Sequence, residues 1–327
     1  MHKYILYILV FFFSLILTVI IEAKLIPTLK ERAKQPIYEG GPYWHLSKNG
    51  TPTMGGIAFL VAISICLFAV ALLLINSERY IDNGISVLIT LLFAICNALI
   101  GIFDDLMKLH RKQNAGLSPL QKLGLQTILA VLFLMSREHF LRDSTTISLG
   151  TLEINLGLFY YLFAIITLLG IINCANLTDG IDGLAASVAT TIGIVFFIIG
   201  YNLTSEASVL SAALVGGALG FLFFNSHPAK IFMGDTGSLF LGALTVGIAF
   251  SLRNPILIIP IGIVYVIEGC SVILQVIVYK LTKKRLFKMA PIHHHLEKNG
   301  LNENRICVIG VITTLIFSAM SLFLLRG

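Results

Sequence analysis

The chain repeatedly runs apolar for the length of a bilayer crossing, and that repetition leaves little choice of fold. The first run extends from Tyr4 to Ala23, and about 20 apolar residues are what a helix needs to cross the hydrocarbon core. With 57% hydrophobic and 12% charged residues among 327, and a mean hydropathy of +0.90, a soluble domain would have nowhere to bury so much apolar surface. The expected fold is an all-α polytopic membrane protein, one integral-membrane domain over residues 1–327. Because the Tyr4–Ala23 run is long enough to span and no small-residue cleavage site follows it, it reads as the first membrane helix and not as a cleaved leader.

About ten spans are expected, near residues 4–24, 54–75, 85–103, 119–136, 158–176, 184–200, 208–224, 237–252, 255–280 and 304–325. The ninth is long and continues into the basic stretch Lys280 to Lys288, so it is expected to project beyond the bilayer. These spans put segments 25–53, 104–118, 177–183, 225–236 and 281–303 on one side. Apart from Lys3, Arg79, Arg137, Arg142, Arg253 and Arg326, the 23 Lys and Arg residues fall in or beside those segments, Lys34 and Lys112 among them. The positive-inside rule makes that side cytoplasmic and puts both termini outside. It also accounts for the net charge of +6 without a nucleic-acid partner, since the bases flank spans and form no basic domain. Cys66, Cys96, Cys174, Cys270 and Cys307 lie in or beside spans without metal-like or disulfide-like spacing, and read as small core residues. On the outer side, Ile147 to Leu156 alternates around Gly150-Thr151, the pattern of a short periplasmic β-hairpin with Gly first in the turn.

The bases alone set the orientation, and the acidic clusters fall on the same, cytoplasmic side. A carboxylate inside a span costs roughly 2.5–3.5 kcal/mol on insertion scales, so acids at span ends are either functional or solvated. Asn173, Asn176, Asp179 and Asp182 recur at three-residue steps, which on a continuous helix would share one face. Asp104 and Asp105 are adjacent, about 100° apart if helical, so they divide their labour. Two neighbouring carboxylates repel unless a cation sits between them or one is protonated, and hard oxygen ligands beside a phosphorylated substrate suit magnesium. The stretch Asn225 to Ser238 offers an amide, the aromatic Phe232, Asp235 and two glycines that allow close backbone approach. His293, His294 and His295 are consecutive, which argues against a zinc site built on i, i+4 spacing and leaves hydrogen bonding to phosphate or a solvated loop. Gly50 to Gly56, preceded by Lys48, either exposes N–H groups to an anion or is simply a flexible helix start. Glu268 and Gln275 either line a polar groove or face neighbouring helices.

Taken together, Thr51-Pro52-Thr53-Met54-Gly55-Gly56, Phe103-Asp104-Asp105, Asn176 to Leu184, Phe232 to Ser238 and Ala290-Pro291-Ile292-His293-His294-His295-Leu296-Glu297 resemble the phospho-N-acetylmuramoyl-pentapeptide transferase family. This family lies within the polyprenyl-phosphate N-acetylhexosamine-1-phosphate transferases. The motifs stand in the family's order and run from the second span to the last cytoplasmic loop. The resemblance implies transfer of phospho-MurNAc-pentapeptide from UDP-MurNAc-pentapeptide to undecaprenyl phosphate, with release of UMP, formation of lipid I, a magnesium cofactor and a homodimer in the bacterial inner membrane. It implies Asp104, Asp105 and Asp235 as catalytic acids, with Asp235 the metal ligand. The substrate-binding set it suggests is Lys48, Thr53, Lys108, Lys122, Asn176, Leu177, Asp179, Asp182, Asn225, Phe232, Ser238, Gln275, His293, His294 and His295. Two other readings compete. A related transferase would use UDP-N-acetylglucosamine, although the Pro291 to Glu297 run speaks against it, and an ion-coupled transporter would place its acids near the bilayer midplane instead of at one set of ends.

Overall fold

The computed structural model describes residues 3–33, 48, 50–111, 116–203 and 205–326, so Lys34 and Lys112 lie outside the described residues. The chain forms α1 (Lys3–Arg32), α2 (Gly56–Ile75), α3 (Ile81–Arg111) and α4 (Pro119–Leu141), then strands β1 (Thr146–Leu149) and β2 (Leu152–Asn155). There follow α5 (Phe159–Thr178), α6 (Leu184–Leu203), α7 (Ser205–Asn225), α8 (Gly234–Ser251), a 3₁₀ turn at Pro255–Leu257, α9 (Ile258–Ile261), α10 (Ile263–Thr282), α11 (Ile292–Lys298) and α12 (Glu303–Arg326). Among the described residues nine helices, α1 to α7, α10 and α12, are long and apolar enough to cross a membrane. The protein is a multi-pass, all-α membrane protein.

The span expected over 237–252 is α8, which is not among these nine, and it differs from the rest for a physical reason. Every residue from Thr236 to Ser251 is buried, so protein and not lipid surrounds it, and its glycines, serines and threonines are tolerated where a lipid-facing helix needs leucine. Eighteen residues make it about 27 Å long, enough to cross inside the bundle. Small residues let its neighbours approach closely. A Cβ on Gly56 of α2 would stand 2.2 Å from the Gly237 Cα, and one on Gly101 of α3 would stand 2.3 Å from the Asp235 carbonyl oxygen. Gly101 precedes Asp104 and Asp105 by one helical turn, so this contact brings their carboxylates to the first turn of α8.

Several boundaries differ from expectation. α1 continues to Arg32 through Pro27, and α3 continues to Arg111, so Asp104, Asp105 and Lys108 are helical and not in a loop. The expected span over 255–280 is broken: Pro255 opens a 3₁₀ turn, Pro260 lacks an N–H within α9, and Gly262 separates α9 from α10. α10 stops at Thr282, where Lys283 turns left-handed (φ 57°), so it does not run on through the basic stretch. The hairpin forms as expected, Leu149 opposite Leu152 with Gly150 at φ 65°. It is tied to the chain beyond α8 by Asn254 Nδ2, which donates to the Ser148 carbonyl at 2.8 Å.

Candidate active site

At the opposite end of the bundle from the hairpin, the end of α3 and the starts of α4 and α8 converge on one charged centre. Asp104, Asp105 and Asp235 bring carboxylate oxygens within 4.8 Å of one another, an arrangement able to hold a metal ion. Two ammonium groups already share it. Lys108 Nζ lies 2.6 Å from Asp104 Oδ2 and 3.2 Å from Asp235 Oδ2. Lys122 Nζ lies 3.1 Å from Asp104 Oδ2 and also pairs with Asp235 Oδ2. Lys122 reaches in from the first turn of α4, which Ser118 fixes: its hydroxyl accepts from Gln121 N (3.3 Å) while Gln121 Oε1 accepts from Ser118 N (2.9 Å), a reciprocal cap following the Ser-Pro-x-Gln sequence.

The neighbouring aspartates do different work. Asp105 Oδ2 accepts from Thr236 N (2.9 Å) and Thr236 Oγ1 (2.7 Å), and Oδ1 accepts from Asp235 N (3.2 Å), so this carboxylate caps the start of α8. Asp104 is fully buried, and besides the two lysines it accepts from the Leu117 N–H at 2.7 Å. A Cβ on Gly234 (φ 74°) would crowd Asp105 Oδ2 at 2.7 Å and Thr53 Oγ1 at 3.0 Å, which explains the glycine before Asp235. Thr53 is buried there, its N–H donating to Ala33 O (3.1 Å).

The expected acid and amide face is not one helical face, because α5 ends at Thr178 and the chain turns. Asn173 points away, its Nδ2 donating to Gln126 Oε1 and Leu169 O, both at 2.8 Å. Asn176 turns inward instead, donating to Asp235 Oδ1 (3.1 Å) and Ser238 Oγ (2.7 Å), while Leu177 stands exposed at the helix end. Asp179 caps the helix, and burial, then Asp235, Asp105 and Asp182, push its carboxyl well above the usual carboxylate range. Asn225 ties the turn to the next loop, accepting from Gly183 N (3.0 Å) and donating to Ile231 O (2.9 Å). Phe232, half-buried, is fixed through its backbone between Pro52 O (2.8 Å) and Gly55 N (2.9 Å).

A second cluster contains two residues to which the sequence analysis gave no role. Lys48 Nζ donates to Asp182 Oδ1 and Glu303 Oε2, each at 2.7 Å, and Glu303 Oε2 also accepts from Asp182 N at 2.7 Å. His227 Nδ1 stands 3.0 Å from Asp182 Oδ2 and 3.4 Å from Glu303 Oε1, while Ala229 N donates to Asp182 Oδ2 (3.0 Å). This clasp joins the loop before α2, the 179–183 turn, the 225–232 loop and the start of α12. Glu303 was legible only as an acid in a first helical turn, a common helix-start preference that conceals its partner 255 residues away.

The histidine run is equally divided. His293 is fully buried, its Nδ1 donating to Glu268 Oε2 at 3.0 Å and its ring edge so close to the turn that a Cβ on Gly180 would stand 2.2 Å from Nε2. His294 pairs with Glu297 at 2.7 Å, and His295 Nδ1 accepts from Lys288 N at 3.1 Å. Gln275 holds the same loop, accepting from Phe287 N (2.9 Å) and Leu286 N (3.1 Å) and donating to Phe287 O (3.2 Å). Glu268 thus faces a neighbouring helix, tying α10 to α11, while Gln275 ties α10 to the loop that precedes α11.

Residues 87–253 match the profile of glycosyl transferase family 4, and residues 48–60 match phospho-N-acetylmuramoyl-pentapeptide-transferase signature 1. Similarity to whole proteins decides the assignment. The phospho-N-acetylmuramoyl-pentapeptide-transferase of Halalkalibacterium halodurans is 43% identical over 314 residues, covering 95% of each chain. The chain belongs to this family. Relatives of the same name in Bacillus velezensis and Clostridium perfringens are each 40% identical, over 94% of both chains in the first case and over 93% of this chain and 92% of the relative in the second. The signature falls on the Lys48 to Leu60 segment, whose residues meet both charged clusters, Lys48 at the clasp and Thr53 beside Asp105 and Gly234.

Proposed function

We propose that the chain transfers phospho-MurNAc-pentapeptide from UDP-MurNAc-pentapeptide to undecaprenyl phosphate, giving lipid I and UMP, on the cytoplasmic face of the bacterial inner membrane and as a homodimer. One observation carries the reading: Asp104 and Asp235 face each other across two lysine ammoniums at the end of the bundle where the substrate-binding candidates gather. A lipid phosphate cannot approach a diphosphate unless charge is screened, and positioning and electrostatics supply most of phosphoryl transfer. In this reading Lys108 and Lys122 exchange a carboxylate partner for a phosphate oxygen when substrate arrives. Asp104, released from its lysines, takes the remaining proton of the lipid phosphate, whose oxygen attacks the sugar-linked phosphorus as the bond to UMP breaks. The acceptor's second pKa lies near 6 by analogy with phosphorylated side chains, so the base completes a partial deprotonation.

The donor set fits magnesium. Asp105 has both oxygens engaged by α8, which leaves the hard oxygens of Asp235 and Asp104, and the two lysines mark a place where these carboxylates demand positive charge. Asp235 would hold the ion with Asp104 opposite, and the ion would neutralise charge developing on the diphosphate. Asn176 and Ser238 orient Asp235, while Phe232, Asp179 and the Lys48 clasp form the side of the site proposed to take the uridine.

The name shared by the relatives favours this donor over UDP-N-acetylglucosamine. Incubating membranes that carry the protein with each sugar nucleotide, and identifying the lipid product by mass, tests the choice. The expected product is undecaprenyl diphosphate bearing MurNAc-pentapeptide; a lipid bearing N-acetylglucosamine alone would overturn it.

A further inference from the structure

A polar cavity of about 460 Å³ opens at the hairpin end of the bundle, at the far end of α3 and α8 from the charged centre. It is lined by Asp82 and Asn83 at the start of α3, Arg137 on α4, Glu206 at the start of α7 and Arg253 just beyond α8, with Leu141 and Leu203 in its wall. This volume lies within the range of about 300–1,000 Å³ usual for small-molecule pockets.

The charges in the cavity are unequally committed. Arg137 is buried and used internally: its Nε donates to Asp143 Oδ2 (2.5 Å) and its two other nitrogens donate to Phe250 O (2.9 Å) and Ser86 Oγ (3.4 Å). Arg253 is free by comparison, its Nε 3.9 Å from Asp143 Oδ1 and its side chain 58% exposed. Its backbone is held left-handed at φ 56°, an unfavourable conformation for a side chain of this size that recurs at binding sites. Glu206, in the same cavity, is only 7% exposed and is hydrogen-bonded by the Asn83 amide, and among the described residues no basic side chain is paired with Glu206 or Asp82. A nearly buried carboxylate that shares a cavity with a second carboxylate calls for a cation. Arg253, held to Asp143 only by that long approach and largely exposed, offers a guanidinium suited to an anion.

We propose that this cavity binds a phosphate-linked primary ammonium, the ammonium between Asp82 and Glu206 and the phosphate at Arg253. Such a zwitterion exists as an aminophospholipid headgroup and as free phosphoethanolamine. The leucines in the wall and the position at the ends of the spans suit a headgroup whose chains remain in the bilayer. The site is independent of the transferase centre and stands whether or not the proposed reaction does.

Purified protein in detergent, titrated separately with phosphatidylethanolamine, phosphatidylcholine and phosphatidylglycerol and read by native mass spectrometry, tests the proposal. Phosphatidylethanolamine should bind about tenfold more tightly than phosphatidylcholine, whose ammonium has no N–H, or phosphatidylglycerol, which has no cation. Glu206→Gln and Asp82→Asn should each erase that preference without changing transferase turnover. Glu206 is buried and Asp82 exposed, so Asp82→Asn, with Arg253→Gln, serves if the first variant fails to fold. Competition by soluble phosphoethanolamine would assign the site to the free zwitterion, and protection by the lipid alone would assign it to the headgroup; either upholds the chemistry. Equal affinity for the three lipids, a preference that survives Asp82→Asn, or an affinity for phosphatidylethanolamine unchanged by Arg253→Gln would overturn it.

Discussion

Asp105→Asn separates the two adjacent aspartates. The asparagine oxygen can stay with the two Thr236 donors, but its amide then faces the Asp235 N–H, so the 3.2 Å bond is replaced by two opposed donors. A hydrogen bond to a charged acceptor contributes about 1.5–3 kcal/mol and a neutral acceptor roughly half as much, so one lost bond and two weakened ones amount to about 3–6 kcal/mol. Relief of repulsion with Asp235 brings the expected loss to roughly 2–4 kcal/mol. Asp104→Asn instead removes the partner of two lysines and the proposed base, and should slow turnover by about 10² to 10⁴-fold. Thermal unfolding in detergent, followed by size-exclusion fluorescence and set beside lipid-product formation, reads both effects. If Asp105→Asn unfolds at the wild-type temperature yet is inactive, the α8 cap is not its function and Asp105 acts on substrate directly.

Three further outcomes follow from the same geometry. Phe232→Ala should weaken UDP-sugar binding by about tenfold and leave lipid binding unchanged, as measured by calorimetry, because the ring's backbone anchors on Pro52 and Gly55 survive the change. Glu303→Gln keeps an acceptor for Asp182 N but strips one of the two carboxylates from Lys48, so KM for the sugar nucleotide should rise about tenfold with kcat nearly constant; a matching fall in kcat alone would place Glu303 in the chemistry. Asp179, its pKa raised on folding, favours the native state when protonated, so that contribution is complete below the ordinary aspartate range and is lost as pH climbs through the raised value. In magnesium-free buffer Asp179→Asn should therefore gain on wild type in melting temperature as pH rises from about 4, and parallel pH profiles would show that the carboxyl is not perturbed.

What the sequence made legible was whatever could be read from local pattern. Spans declared themselves by apolar length, the hairpin by alternation around Gly150-Thr151, and the convergence of Asp104, Asp105 and Asp235 by the end of the span on which each fell. α8 stands out from the other spans because burial on all sides, a tertiary property, relaxes the demand for apolar residues. The extension of α3 past Asp104 escaped the apolar window because the helix continues on hydrogen bonds and capping charges after its lipid-facing surface ends. Three-residue spacing failed at Asp179 and Asp182 because it presumes a continuous helix, and the chain turns after Thr178. The clasp of Lys48, Asp182, His227 and Glu303 is assembled from four distant segments, and no local pattern announces such a meeting. Buried His293 shows the converse: adjacent identical residues look alike in sequence, and only packing against Gly180 and Glu268 separates it from His294 and His295.

The central claim is that Asp235, held between Asn176 and two lysines, belongs to the centre that moves a phosphosugar directly onto the lipid. Release of UMP from UDP-MurNAc-pentapeptide by purified wild type and by Asp235→Asn, each with and without undecaprenyl phosphate in the presence of magnesium, tests it most directly. Wild type should release UMP only with acceptor present and in equal amount to lipid I, and folded Asp235→Asn should release none above background. Undiminished release by Asp235→Asn, or wild-type release without acceptor at a rate comparable to turnover, would contradict the account.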